Sequence, residues 1–173
     1  MRGPALSAVR RGRHRPFPSE RELVMDARRN LAYWLFLADD SAAGLPYLES
    51  VVSDHEQLLG AGDHRTLAAR TALAHALGRS GQVGEALLLT QQVSAACADH
   101  LPNTHEIALN SRFETAMWSA VAGMLENASA EFEALRDDAV HAYGPGHLLV
   151  RACDRQLRTA GTATTSWPRP VRW

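Results

Sequence analysis

The sequence contains no lysine; all 18 of its basic residues are arginine. Without lysine, the Gly60-Ala61-Gly62 stretch cannot complete a phosphate-cradling loop, and no strand pattern precedes it. Cysteine is nearly as scarce. Cys97 and Cys153 are too few for a disulfide framework, which points to a reduced compartment. No run of 18 apolar residues occurs, so no transmembrane helix and no membrane partner are expected. The N-terminal stretch is rich in arginine but has no apolar core segment, which argues against a secretory signal. Net charge is only −1 and 46% of residues are hydrophobic, a balance that excludes disorder of the whole chain. The expectation is a soluble, cytoplasmic protein. Its 173 residues suffice for one domain of ordinary size, or a short repeat array, with a real apolar core. What is abundant is alanine, at 29 positions, a helix-forming composition.

The near-zero net charge conceals a segregated one. Residues 1–30 carry eight arginines against Glu20, Glu22 and Asp26; residues 31–143 carry five against fifteen acids; residues 144–173 carry five against Asp154. A basic arm thus precedes an acidic body and a basic tail. Arg10, Arg11, Arg13, His14 and Arg15 could contact nucleic acid or an acidic surface, that of the chain's own body included. The blander alternative is a solvated leader, and short basic runs of this kind are common.

Residues 1–18, with Pro4, Pro16 and Pro18 and no helical period, read as a basic disordered arm. Residues 161–173, Gly-Thr-Ala-Thr-Thr-Ser-Trp-Pro-Arg-Pro-Val-Arg-Trp, read as a flexible tail. Between them the pattern is helical throughout, with no alternating strand run. Shifting the sequence by 42 residues brings three segments into register without a gap. Arg28, Arg70 and Arg112 form one column, and Ala32, Ala74 and Ala116 a column of small residues. Leu31 meets Leu73, Leu35 meets Leu77, and Gly81 meets Gly123. Gly44, Ala86 and Ala128 make a second small column, and Val51, Val93 and Leu135 close the set. Internal periodicity on this scale marks an array of supersecondary units.

The columns have a physical logic. Small residues let two helices of a pair approach closely, and glycine turns the chain between them. Leucines four apart, such as Leu73 and Leu77, fill the groove between helices. Ser19 with Glu22 is a capping-box pattern, Asn103 with Glu106 a looser one, and Asp63 is placed to cap a helix beginning near His64. The pattern predicts seven helices, at about 19–38, 43–59, 65–79, 83–99, 104–122, 127–143 and 147–159. The last has no partner helix and is expected to cap the array. Leu148, Leu149, Ala152 and Leu157 would face inward there, and Arg151, Arg155 and Arg158 would face water. Each hairpin buries its apolar face only against its neighbours.

These residues resemble a tetratricopeptide (TPR) array, specifically the longer 42-residue variety found in kinesin light chains and in many actinobacterial proteins. The resemblance rests on Asn30-Leu31-Ala32-Tyr33-Trp34, on Leu59-Gly60-Ala61-Gly62-Asp63-His64-Arg65-Thr66-Leu67-Ala68-Ala69-Arg70, and on Gly81-Gln82-Val83-Gly84-Glu85-Ala86. The third copy departs from it, with Trp118, Ser119 and Ala120 where the second has Ala76, Leu77 and Gly78. The resemblance implies an all-α, right-handed superhelix of three hairpins, about 22–59, 64–101 and 106–143, with a cap at 147–159. The array as a whole would span residues 19–160.

It also implies a non-catalytic scaffold that holds a peptide or protein partner in a concave groove lined by the first helices. By register, the groove residues would be Arg29, Asn30, Tyr33 and Leu37 from the first repeat, and Thr71, His75 and Arg79 from the second. The third would contribute Asn110, Phe113, Glu114 and Met117. Asn30 fits an asparagine common at that family position, but Ala72 and Glu114 replace it in the other copies. Tyr33 and Phe113 have an alternative reading as inter-repeat core, since aromatics at helical spacing usually are. Two other function classes stay open: a regulatory protein contacting nucleic acid through the basic arm, and a homo-oligomer assembled through the ends of the array.

Catalytic and metal motifs were weighed against this. His105-Glu106 begins like a zinc-protease signature, but position 109 is leucine where a second histidine would be needed. Asp137-Asp138-Ala139-Val140-His141 could hold a divalent cation, though paired acids of this kind are more often a solvated helix face. Cys97 with His100 could form a nucleophilic pair but lacks an orienting third group, and a small buried cysteine is the simpler reading. The expectation is no catalytic residue, no metal and no cofactor.

Overall fold

A computed structural model describes residues 41–161 together with Leu23, Val24, Ala27, Arg28, Leu31 and Leu35. Those six upstream positions are all helical; the rest of the helix expected over about 19–38, the arm at 1–18 and the tail beyond Gly161 lie outside the described residues. Six helices follow in order, with no strand among the described residues: α1 (Ser41–Leu59), α2 (His64–Arg79), α3 (Val83–His100), α4 (Glu106–Val121), α5 (Leu125–Tyr143) and α6 (Leu148–Gly161). Each packs on its successor, and α2 also contacts α4. The architecture is an all-α repeat superhelix. α2/α3 and α4/α5 are complete hairpins, α1 is the second helix of the hairpin before them, and α6 follows as a single helix.

Turn chemistry separates the two kinds of junction. Within hairpins, α2 and α4 end in Schellman motifs around Gly81 (φ 92°) and Gly123 (φ 87°), a backbone conformation that disfavours a side chain. Gln82 N–H donates to the Leu77 carbonyl and Met124 N–H to the Ser119 carbonyl, each at 2.9 Å, closing the last turn. Between hairpins, Asp63 caps α2: its carboxylate accepts from Arg65 N–H at 2.8 Å and pairs with the Arg65 guanidinium. The cap of α4 is His105 rather than Asn103, with its Nδ1 accepting from Ile107 N–H at 3.2 Å. His147 does the same for α6, accepting from Leu149 N–H at 3.3 Å. Asp63, His105 and His147 stand 42 residues apart, and the first two share nearly the same backbone (φ −65° and −67°, ψ 137°). The repeat therefore includes its caps.

The aligned columns lie in the interior. Ala74 and Ala116, Ala86 and Ala128, and Val51, Val93 and Leu135 are all buried. The main core runs through the third hairpin into α6, uniting Phe113, Trp118, Phe132, Leu135, Leu149 and Cys153. Trp118, in the copy that departs from the family pattern, is fully buried, and its six-membered ring occupies the space that a Cβ on Gly78 would need. The indole of one repeat is thus seated on the glycine of the one before. On α6, Arg151, Arg155 and Arg158 are exposed while Leu149 and Ala152 are buried and Leu157 half-buried, but Leu148 is exposed and Val150, Cys153 and Gln156 take the inner face. The inner face is set by where His147 starts the helix, and that start leaves Leu148 on the outer side.

The arginine column ties the two helices of each hairpin. Arg28 donates to Ser50 at 2.6 Å and to Asp54 at 2.9 Å, while Arg112 donates to Glu131 at 2.7 Å and to Asp138 at 2.6 Å. Arg70 reaches Gln92 at 3.3 Å and Glu56 at 3.9 Å, because Ala96 stands where the other copies have their aspartate. Burial of Arg112 works against its charge, yet the Asp138 and Glu131 bonds hold its pKa above the ordinary guanidinium value.

Gly78→Ala should drive a methyl group into Trp118 and lower stability by about 1–3 kcal/mol, the usual cost of overpacking. Trp118→Phe in the same background should recover part of that loss, so that thermal unfolding of the single and double variants is non-additive. The Arg65 bonds hold the Asp63 carboxyl below its usual pKa, so its stabilising effect is complete above the unfolded-chain value and is lost as pH falls through the lower folded one. Asp63→Ala should cost about 1 kcal/mol near neutrality. Asp63→Asn should flatten the decline of the urea midpoint below about pH 4, where the wild-type carboxylate begins to take up protons.

Candidate functional site

In a stack of hairpins the first helices lie side by side, and the contact between α2 and α4 puts their facing side chains within reach of one another. Five of the 16 residues of α2 are alanine, so what projects between the two helices is decided by a few larger residues.

His75 on α2 reaches α4, where its Nδ1–H donates to both oxygens of the Glu114 carboxylate at 3.0 and 2.9 Å. Its ring also meets Trp118 edge-on, at 5.9 Å between centroids and 62° between planes. Glu114 and Trp118 are one turn apart on α4, so the imidazole is seated against a polar and an aromatic group of a single helix face. Both members of the hydrogen bond are shielded, with side-chain exposures of 17% and 11%, which sets it apart from weak, solvent-screened surface contacts.

The other expected groove residues divide into three groups. Asn110 and Arg79 are half-buried on α4 and α2, flanking the His75–Glu114 pair in sequence, and Thr71 is half-buried with its hydroxyl donating back to the Leu67 carbonyl at 2.9 Å. Phe113 and Met117 are core side chains, 2% and 4% exposed, and do not line a groove. Phe113 packs edge-to-face on Phe132 of α5 (5.4 Å, 63°), a core contact within its own hairpin. Ala116 is buried in the same core cluster, with residues of α5 and α6. Arg29, Asn30, Tyr33 and Leu37 lie outside the described residues.

The residues weighed for catalysis are used structurally. Cys97 is buried and accepts from the Ser111 hydroxyl at 3.8 Å, and burial pushes its thiol pKa up, away from the reactive thiolate. His100 is exposed, and its ring lies over Gly62. Burial raises the Cys153 thiol further, to about 12. Asp138 is bound by Arg112 and Asp137 by Arg136, and His105 is the α4 cap. Among the described residues no group of three or more His, Cys, Asp or Glu is placed to hold a metal ion, and no helix is long and apolar enough to cross a membrane.

The His75–Glu114 pair escaped the sequence reading as a pair. Its members are 39 residues apart, off the 42-residue register, so no column contains both.

No protein-family model and no curated protein matches the sequence. Solved structures do. The nearly identical TPR-like repeats of a Podosopora anserina protein assigned to the kinesin light chains superpose with a TM-score of 0.72 at 26% identity over 79% of this chain. A single-residue variant of that protein gives the same values. The chain spans 64% of the length of each of these two.

A double-mutant cycle on His75→Ala and Glu114→Ala should return a coupling of about 1–2 kcal/mol by urea denaturation, as expected for a shielded contact. The same cycle on the exposed Arg136–Asp137 pair should return no more than about 0.5 kcal/mol.

Proposed function

The chain is a TPR-like repeat protein, and from that premise we propose that it is a non-catalytic scaffold holding a peptide or protein segment along the first helices of its hairpins. The observation that carries this reading is the side-by-side packing of α2 and α4, with Arg79 and Asn110 half-buried beside the His75–Glu114 pair. A guanidinium and an amide there can pair with carboxylates and with the backbone of an extended segment. Glu114 is already engaged by His75, so its role is to hold the surface in shape. By register, Arg29, Asn30, Tyr33 and Leu37 extend the same surface into the first repeat, and Thr71 borders it. Phe113 and Met117 support it from within. The engagement of the candidate nucleophiles and acids in packing and arginine bonds supports a scaffold over an enzyme.

A displayed library of random peptides, selected on the full chain, tests the proposal. Selected peptides should bind Arg79→Ala and Asn110→Ala at least tenfold more weakly, a loss of about 1.4 kcal/mol or more. Glu133→Ala on the outward side of α5 should bind them unchanged. Equal binding by all three variants would overturn the assignment.

A further inference from the structure

Asp63, His105 and His147 fill one repeat position, but they accept their cap bonds with different chemistry. A carboxylate is an acceptor as long as it is ionised, down to about pH 4. An imidazole accepts only through a bare ring nitrogen, so each histidine cap needs the neutral ring with its proton on Nε2. A protonated ring carries N–H on both nitrogens, and no rotation or tautomer restores an acceptor. Its positive charge also stands at the start of a helix, where the dipole favours a negative one. Histidine in an unfolded chain takes up its proton near about pH 6.5, far above the range in which the Asp63 type of cap is lost.

Little around the two rings offsets that loss. Both are half-buried, so a proton can reach them. Among the described residues, histidine pairs with a carboxylate at His64–Asp63 (3.6 Å) and His75–Glu114 (2.9 Å), and neither capping ring has such a partner. Glu106, next in the chain after His105, makes no pair with its ring. From α5, Tyr143 donates to the Thr104 carbonyl at 3.0 Å and lays its ring 4.4 Å from that of His147. Burial, and then the charge of Glu106, raise the Tyr143 pKa, so the phenol stays neutral and keeps that bond. From α2, Asp63 is bound by Arg65; from α3, the His100 ring lies over Gly62. Asp99 and His141, on the last turns of α3 and α5, are exposed, and Arg151, one turn beyond His147, adds positive charge.

We propose that the junctions before α4 and α6 are acid-sensitive: below about pH 6.5 both helices lose their caps and fray at the start, while α2, capped by Asp63, holds. Protonation elsewhere works the other way. A charged His64 lies beside the Asp63 carboxylate, and His75 bonds Glu114 through an N–H that protonation leaves in place. The hairpin α2/α3 therefore keeps its start and its bond to α4, while the junctions on either side of α4/α5 loosen. This response does not depend on what the α2–α4 surface holds.

Hydrogen exchange compares the three junctions side by side in the full chain. The amides of Leu67, Leu109 and Arg151 donate the first helical bonds to the carbonyls of Asp63, His105 and His147, at 3.0, 3.0 and 3.2 Å. From about pH 7.5 to about pH 5.5 the protection factors of Leu109 and Arg151 should fall about fivefold, the effect of one lost cap, while that of Leu67 is unchanged. H105N/H147N keeps a side-chain acceptor at every pH. It should hold all three protection factors constant, and its urea midpoint should fall less than that of the wild type over the same range. A loss at Leu67 equal to theirs, or an undiminished protection factor at Leu109 or Arg151, would overturn the proposal. So would an asparagine variant that declines with pH as the wild type does. If that variant does not fold, the wild-type exchange pattern alone decides.

Discussion

A helical hairpin of this kind has more apolar surface than it can cover by folding on itself, and every other feature of the chain follows from covering the remainder with the next hairpin. Leu109, Phe113, Ala116 and Trp118 are all but inaccessible because α5, α6 and the preceding α2 enclose them. Stacking imposes a fixed distance between repeats, so bulk added in one must be removed from its neighbour. The indole of Trp118 is admitted by Gly78, and the pairing of Phe113 with Phe132 fills the space on the other side. The copy that departs most from the family pattern is packed as closely as the others. Its bulkiest departure, Trp118, is compensated across the interface, by Gly78 of the repeat before.

Polar interactions then decide orientation within that apolar framework. The second helices α1, α3 and α5 carry ten carboxylates and one arginine, while α2, α4 and α6 carry seven arginines and three carboxylates. Opposite charge therefore lies across α2 and α3, while α4 and α5 are both net acidic, and the column Arg28, Arg70, Arg112 sets one arginine against the second helix of each hairpin. An isolated exposed ion pair contributes little. Arg112, half-buried between Glu131 and Asp138, has little freedom left and holds its hairpin in one rotational setting. The His75–Glu114 bond does the corresponding work between hairpins. It lies beside the surface proposed to hold a partner, whose shape depends on it.

Column positions were legible from sequence because burial repeats with the period of the stack. Ala74 and Ala116, and Val51, Val93 and Leu135, occupy the interior sites that their alignment implies. Asp63 was legible as a cap because aspartate is a common one. His105 and His147 were not, although they lie in the same column, because histidine rarely caps a helix and the nearby Asn103 fits the preferred type. The groove was less legible than the core. Family register places Phe113 and Met117 on the first-helix surface, but a helix turns 100° per residue, and a small rotation carries such positions from wall to core. His75 and Glu114 interact across an offset that no periodic comparison can contain. Contacts that break the repeat are the ones a repeat-based reading cannot find.

The 42-residue comparison also marks where the apolar strip gives way to charge. Leu109, Phe113 and Ala116 present an apolar strip to the elements that follow α4, and Arg151, Arg155 and Arg158 present three charges at the corresponding places on α6. Another hairpin of the same kind laid against α6 would have to strip water from all three guanidiniums. Its own apolar face offers them no partner, and the penalty of several kcal/mol for each unpaired buried ion exceeds the gain from the apolar contact. Three side chains thus convert an interior helix into a solvated boundary, while Leu149, Val150, Ala152 and Cys153 keep its inner face in the core.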